Sequence, residues 1–585
     1  MNPLLKKADS ALKIWRSRGL TGIRNHLRRL RRNRREERNY RRWIELHRFT
    51  ADDRRELEKQ IAALARRPLI SVVMPVYDVE EKWLRRCLET VFEQVYENWE
   101  FCIADDHSPS PHIKKVLREY AERDARVRVV FRETNGHISA ASNSALALAT
   151  GEFCVLLDHD DELAPDALLR VAETLVEFPE TAFIYSDEDM IDERGQRYAP
   201  KFKPDFSRDL FYSLNLITHL SAYRTDILRA IGGFRAGVEG SQDYDLALRF
   251  IERIDERQIR HIPRILYHWR AIRGSVALSA DEKPYAHERA RQALREHFER
   301  TGTPATVERG IYQFHRVRYA LPEPLPKASL ILSGVDDAAA TVDRFQTETA
   351  YENLEIILIC ANEPKNAALP DNVKTIARAG LSTAASLNEA AARATGELLC
   401  FLDAGLRPRS TDWLRELAGF ALRPEIGAAG GKIVDRSETV LGAGLIIGFD
   451  DAVGIAHRRY TNDADGYFAR LQVINNFSAV SARALAVRRA LFDETGGFDA
   501  ENLPAALFDA DFCLKLREQD LRVVFTPYAE FVFEGKDVLT KPAPRAREFF
   551  KRRWRAVVER DPFYNPNLAR RGETFTIEIG NRNTP

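Results

Sequence analysis

One feature limits what this chain can fold into more than any other: it repeats itself. YENWEFCIA (96–104) returns as YENLEIILI (351–359), and ASNSALALATGEFCVLLD (141–158) returns as SLNEAAARATGELLCFLD (386–403). IGGF (231–234) is echoed by TGGF (495–498), and DYDLALR (243–249) by DADFCLKLR (509–517). An internal repeat of about 250 residues means two copies of one domain. At 585 residues the chain is also too long for a single core. LPEPLPK (321–327) carries three prolines in six residues and suits a linker. We therefore expect a basic helical segment at 1–68, one domain at 69–320, a second at 327–560 and a tail at 561–585.

Within the first copy, LISVVMPV, WEFCIA, VRVVF and FCVLL read as buried strands. Helices at 80–95, 111–123 and about 138–149 alternate with them. This alternation predicts an α/β fold with a Rossmann-like, mostly parallel sheet and helices on both faces. Such sheets bind ligands at the carboxyl ends of their strands. Three of those ends carry polar clusters: PVYD, ADDHS and DHDD. The last places Asp158, His159, Asp160 and Asp161 together, and carboxylates so close repel one another unless a cation sits between them. The repeat serves as an internal control, because the second copy ends the same strand with Asp403-Ala404-Gly405-Leu406. The fold therefore does not require Asp160 and Asp161, which points to chemistry. Hard oxygen ligands favour Mg²⁺ or Mn²⁺, which retain waters and bridge phosphates. The structural alternative is that Asp161 caps a helix at 164–177.

The formal charge of +1 hides an asymmetry. Residues 1–68 hold 21 Lys/Arg against 8 Asp/Glu, a net of +13, so the other 517 residues carry −12. This segment reads as helical over 3–68, with a break at Gly19 and Gly22 and an end at Pro68. Leu4, Leu5, Ala8, Ala11, Leu12 and Trp15 share one face. A basic amphipathic helix of this kind suits an anionic membrane surface, with residues 1–50 making peripheral contact. It also suits docking on the chain's own acidic domains; nucleic acid is not expected. No continuous apolar leader and no run of about 20 apolar residues is present. The six cysteines lack CxxC spacing and read as reduced, mostly buried thiols of a cytoplasmic protein.

The ordered series PVYD, ADDHS, DHDD and QDYD resembles the family 2 glycosyltransferases, which have the GT-A fold. GHISAASNSALALATGEFCVLLDHDDELAPDAL is similar to bacterial members that build O-antigen and other surface polysaccharides. The resemblance covers about 68–300 and, more weakly, 327–540. It implies roles residue by residue. Pro75 and Tyr77 would flank the nucleotide base. Asp105 or Asp106 would accept hydrogen bonds from uracil or thymine N3–H and the ribose. Asn143 would touch phosphate or ribose, and Asp158 the ribose or the metal. Asp160 would ligate the cation that offsets charge on the leaving diphosphate. His268 would be a late metal ligand. Asp187, in Ser186-Asp187-Glu188-Asp189, would orient donor or acceptor hydroxyls. Asp243 would be the general base, and one base with direct displacement gives inversion.

The sequence departs from the family pattern in places. His107 stands where a glycine is usual, Ser142 where many members have arginine, and Gln242 where Glu is common. Structural readings stand beside the functional ones. They are an Asx turn at Asp105–Asp106, a helix-dipole charge at Asp243, a structural His268 and a solvated edge turn at 186–189.

The reading is an inverting, metal-dependent hexosyltransferase-type enzyme. Its donor is a UDP- or dTDP-sugar, and its acceptor a growing, lipid-linked glycan. It would lie in the cytoplasm, at the inner face of the cell membrane. The second copy lacks the acidic strand end and has Phe533 where His268 is expected. After its second strand it reads Ile359-Cys360-Ala361-Asn362, without the paired aspartates. It reads as degenerate: it would hold acceptor glycan, stabilise the first domain, or act without metal through Asp509. The competing classes are a non-catalytic glycan-binding scaffold and a nucleotidyltransferase. The latter needs a glycine-rich basic loop that PVYDVEEKW lacks.

Overall fold

The computed structural model describes residues 26–272, 284–362, 369–537 and 540–580. The chain divides into two compact units. One comprises Tyr40–Phe206 and Leu214–His315; the other holds residues 26–39, Ser207–Ser213 and Arg316–Ile579.

In the first unit, strands β1 (Ile70–Val76), β2 (Trp99–Asp105), β3 (Val127–Phe131) and β4 (Phe153–Leu156) are followed by β5 (Glu162–Leu163), β6 (Phe183–Ile191), β7 (Arg197–Lys201), β8 (Ser221–Arg224) and β9 (Ile259–Arg270). The sheet runs β3-β2-β1-β4-β8-β6-β9-β5, with β7 on β6. The first four strands are parallel, as the alternation predicts. β8 then enters antiparallel to both β4 and β6, while β6 and β9 run parallel.

The other unit repeats this plan. Its strands are β10 (Ala328–Val335), β11 (Leu354–Cys360), β12 (Val373–Ala377), β13 (Leu398–Asp403), β14 (Leu406–Pro408), β15 (Ile426–Asp435), β16 (Ala484–Arg488) and β17 (Arg522–Phe533). They lie in the order β12-β11-β10-β13-β16-β15-β17-β14.

The repeated letters are joints of this sheet. The Tyr96 hydroxyl donates to the Pro68 carbonyl at 2.7 Å, and Tyr351 does the same to Pro326 at 2.7 Å. Glu100 accepts from the Ser71 hydroxyl at 2.6 Å and the Gly151 amide at 3.0 Å. Glu355 accepts from Ser329 at 2.5 Å and Gly396 at 3.2 Å. The YEN-x-E and ATG segments therefore meet and lock the first strands together. A Cβ at Gly151 would lie 2.6 Å from the Leu69 carbonyl, and one at Gly396 2.7 Å from that of Lys327, so neither position admits a side chain.

The basic segment departs from its expectation. Residues 26–46 form a helix, and a second spans Ala51–Ala63. The break falls at 47–50, because Thr50 and Asp53 form a capping box that starts a new helix. The second helix stops at Ala63, ahead of Pro68. Gly19, Gly22 and the early apolar face lie outside the described residues. Tyr40 and Trp43 pack on Phe202, with ring centroids 6.5 and 5.4 Å away. Arg32 and Arg35 pair with Glu573 at 2.6 and 2.7 Å. No described helix is long and apolar enough to cross a membrane. All six cysteines are buried and free.

Candidate active site

Two clusters form at the carboxyl ends of the parallel strands. The first closes β2. Asp105 is fully buried, and its Oδ1 accepts from the Ser108 amide at 3.1 Å, the Asx-type turn the sequence allows. Asp106 Oδ1 accepts from Arg132 Nε at 2.8 Å and the Gly136 amide at 2.9 Å. The Oδ2 atoms of both aspartates are buried with no hydrogen-bond partner. Leaving such acceptors unmet costs about 1–3 kcal/mol each. His107, in the usual glycine's place, adopts a left-handed φ of 59°. The Pro75 carbonyl lies 3.2 Å from His159 Nδ1, and Tyr77 is 48% exposed.

The second cluster follows β4. A turn from the Asp161 amide to the Asp158 carbonyl (3.2 Å) brings these side chains together. One ligand atom each of Asp158, Asp161 and His219 lies within 4.8 Å of the others. Asp161 does not cap the following helix, which spans Ala167–Glu177 and has Asp166 at its N-cap. Its carboxylate is instead buried against β9, accepting from Tyr267 Oη and the Arg270 amide, both at 2.6 Å. Burial, then the charges of Asp160 and Asp158, push the Asp161 carboxyl well above its ordinary range. Burial and Asp158 also raise Asp160, against the pull of His159. Two carboxylates with an imidazole are a donor set that a divalent cation would suit.

His219 stacks on Tyr267, with ring centroids 4.3 Å apart, and its Nε2 lies 3.9 Å from Asp158 Oδ2. Its loop is braced from β6. Glu188 accepts from the His219 amide at 3.0 Å and Lys203 Nζ at 3.0 Å, and Lys203 Nζ also donates to the carbonyls of Ile217 (2.6 Å) and His219 (2.7 Å). Burial opposes charge on Glu188, but Lys201 and Lys203 outweigh it and hold the carboxyl far below its ordinary range. Asp243, in the first turn of the helix Gln242–Ile251, accepts from the Asn215 amide at 2.8 Å. Burial raises its carboxyl; His219 pulls it down and Asp158 pushes it up.

Other predicted residues have structural partners. Ser186–Asp189 is no solvated turn; it lies inside β6 and is fully or almost fully buried. Asp187 Oδ1 accepts from the Lys203 amide at 2.7 Å and pairs with His261 Nε2 at 2.9 Å. His268 Nδ1 sits 2.5 Å from Asp189 Oδ1, apart from the Asp158–Asp161–His219 group. Asn143 spends both ends of its amide on Phe234, at 2.8 Å each. Asn388 does the same to Phe498, at 2.8 and 3.0 Å. A contact present in both copies belongs to the fold. It also explains IGGF and TGGF: a Cβ at Gly233 would fall 2.4 Å from Asn143 Oδ1.

Sequence reasoning missed His219, Lys203 and Arg270, which donates to the Asp160 carbonyl at 2.7 Å. A signal for His219 existed. Counting back equally from IGGF and TGGF sets His219 against Arg483, and the β4–β8 and β13–β16 registers agree. Arg483 lies 3.4 Å from Asp403 and 3.0 Å from Asp537. Register also corrects one pairing. Glu162 faces His268 and Arg407 faces Val532, so Val532, rather than Phe533, stands in the histidine's place. The helices Gln242–Ile251 and Phe508–Arg517 align from their starts, pairing Asp243 with Asp509.

Residues 71–232 match the model described as "Glycosyl transferase family 2", and 341–561 match "Glycosyltransferase like family 2". The chain is 40% identical to "Uncharacterized protein y4gI" of Sinorhizobium fredii, over 90% of this chain and 60% of that protein. It is 35% identical to "O-antigen biosynthesis protein RfbC" of Myxococcus xanthus, over 87% of this chain and 41% of that one. It thus spans less than two thirds of either relative. The solved structure of S. aureus TarS 1-349 in complex with UDP-GlcNAc aligns with a TM-score of 0.32 and 20% identity, over 38% of this chain and 65% of its own. With a family model matched in each half, the chain belongs to the family 2 glycosyltransferases and carries two domains of that family.

Proposed function

We propose that the first domain moves a sugar from a UDP- or dTDP-sugar to a growing, lipid-linked glycan of a bacterial surface polysaccharide, with inversion. The observation that carries this reading is the pair of unmet buried oxygens on Asp105 and Asp106 at the end of β2, with the Asp158–Asp161–His219 cluster after β4, the strand on the other side of β1. The aspartates would accept from the base N3–H and the ribose, with Pro75 and Tyr77 flanking the base. Asp158, Asp161 and His219 would hold Mg²⁺ or Mn²⁺, with Asp160 beside them; His268, its Nδ1 on Asp189, keeps Nε2 for a ligand. When bound, such a cation supplies positive charge for the leaving diphosphate. Asp243 takes the proton of the acceptor hydroxyl; its raised affinity for protons suits a base, and the Asn215 amide fixes which oxygen faces the acceptor. The exposed Arg28, Arg31, Arg34, Arg38, Arg41 and Arg42 of the first helix suit the anionic inner face of a membrane, where a lipid-linked acceptor lies.

Thermal unfolding against UDP, dTDP, GDP and CDP, each with and without Mn²⁺, tests this reading on wild type and Asp160→Ala. A metal-dependent rise for UDP or dTDP, lost in the variant, supports it. No shift with any nucleotide would sink the enzyme reading and favour a glycan-binding scaffold.

A further inference from the structure

The segment between Lys203 and His219 belongs to two units. The chain leaves the first-copy unit after Phe206, packs residues Ser207–Ser213 with the unit built on 316–579, and returns at Leu214. Every residue of Asp209–Ser213 is buried. Asn476 is the clasp. Its Oδ1 accepts from the Ser207 hydroxyl at 3.0 Å and the Asp209 amide at 3.1 Å, and its Nδ2 donates to Asp209 Oδ2 at 2.7 Å. Arg522 Nε donates to the same Asp209 oxygen at 3.1 Å, and the Ser213 hydroxyl to the Ile474 carbonyl at 2.8 Å. Both Asp209 and Asn476 are almost fully buried, and no step of the proposed chemistry uses either.

What this clasp holds is close along the chain. Asn215 follows Ser213 by two residues and donates to Asp243; His219 follows by six and joins the acidic cluster. Lys203 closes the neck of the same loop through the carbonyls of Ile217 and His219. The loop is thus pinned at its neck by the first copy and at its tip by residues of the second copy. We infer that Asn476, with Asp209 and Arg522, is a positioning element for the first copy's reaction, setting where Asn215 and His219 stand. The second copy then contributes to catalysis without a donor site of its own. This inference rests on the proposed function.

The test uses the full chain with Asn476→Ala, Asp209→Asn and Ser213→Ala. Four quantities are read: Mn²⁺ affinity by calorimetry, kcat against pH, UDP binding without metal, and the melting temperature. Asn476→Ala is expected to weaken Mn²⁺ binding and lower kcat, each by about tenfold, the scale of lost support behind a ligand. The acid limb of kcat should move, because Asn215 no longer steadies Asp243. Metal-free UDP binding, which depends on Asp105 and Asp106, should stay within about twofold. Asp209→Asn, made alone, keeps an acceptor for Asn476 and should lose much less than Asn476→Ala. If Asn476→Ala does not fold, Ser213→Ala removes one bond and should show the same pattern at smaller amplitude. Folded variants with wild-type Mn²⁺ affinity and an unmoved acid limb overturn the inference alone. So does a parallel loss of metal-free UDP binding. A wild type that binds neither metal nor nucleotide instead overturns the proposed function, and this inference with it.

Discussion

The two copies treat the same corner of the sheet differently. After β4, one ligand atom each of Asp158, Asp161 and His219 comes within 4.8 Å of the others, and burial, then Asp160 and Asp158, raise the Asp161 carboxyl. After β13, Asp403 faces Arg483, and Leu406 stands where Asp161 stands in the first copy. The guanidinium also pairs with Asp537, which Arg458 holds at 2.7 Å as well. The second copy thus has the Arg483 guanidinium where the first has the His219 imidazole. The difference teaches that this corner of the fold accepts either a carboxylate–imidazole group or a carboxylate–guanidinium pair, and that of the two the first has the donor set a divalent cation would suit. It agrees with the end of β11, where Ile359-Cys360-Ala361-Asn362 offers no paired carboxylates.

The sharpest break of this comparison is at the helix starts. Asp243→Asn should lower transfer about a thousandfold, the scale of a lost general base, whereas Asp509→Asn should leave it within about twofold. A large loss from Asp509→Asn would show that the second copy has chemistry of its own. Next comes an exchange of cations. His219→Arg should weaken Mn²⁺ binding about a hundredfold and raise the melting temperature of the metal-free protein, since the guanidinium neutralises Asp158. Arg483→His should gain no metal site, because Leu406 offers no ligand. It should cost about 1–3 kcal/mol as Asp403 and Asp537 lose their donor. Calorimetry and melting curves check both.

The pH dependence follows from the raised carboxyls of Asp243 and Asp161. Folded, they hold protons at pH values where the unfolded chain, with carboxyls near about 4, has released them. Their contribution therefore makes the metal-free fold less stable as pH rises through that window, and acidification from neutral recovers it. Mn²⁺ at neutral pH should substitute for those protons and flatten the profile. The acid limb of kcat should lie above that of an ordinary carboxyl, and Asn215→Leu, which removes a donor to the ionised form, should move it higher. The smallest expected effect is a matched pair. Asn143→Ala and Asn388→Ala should each cost about 1–2 kcal/mol, with the donor KM unchanged. A donor KM that rises only for Asn143→Ala would return that residue to the nucleotide site.

Much of the fold was legible in the sequence. The first four strands and their helices fall where period and burial predict, and the helix Pro111–Arg123 matches at both ends. The repeat marked which letters are joints, and the structure shows why: Glu100 meets Gly151, and Asn143 meets Phe234. The site was legible only where its residues lie in short runs. Asp105, Asp106 and Asp158–Asp161 announce themselves as clusters at strand ends. His219 stands alone before a short strand, and its meaning appears only when β8 is laid against β4.

By itself, then, the sequence determined that there are two copies of one α/β domain, which strand ends carry charge, and which copy has lost it. Hydrophobic period and local turn chemistry act between near neighbours, so they can be read along the chain. Tertiary structure decided which charges meet. It set Asp161 against Tyr267 and Arg270 rather than on a helix end, placed His219 beside Asp158, and drew Ser207–Ser213 into the other unit. Those outcomes depend on strand order and on register between distant segments, which no local pattern encodes.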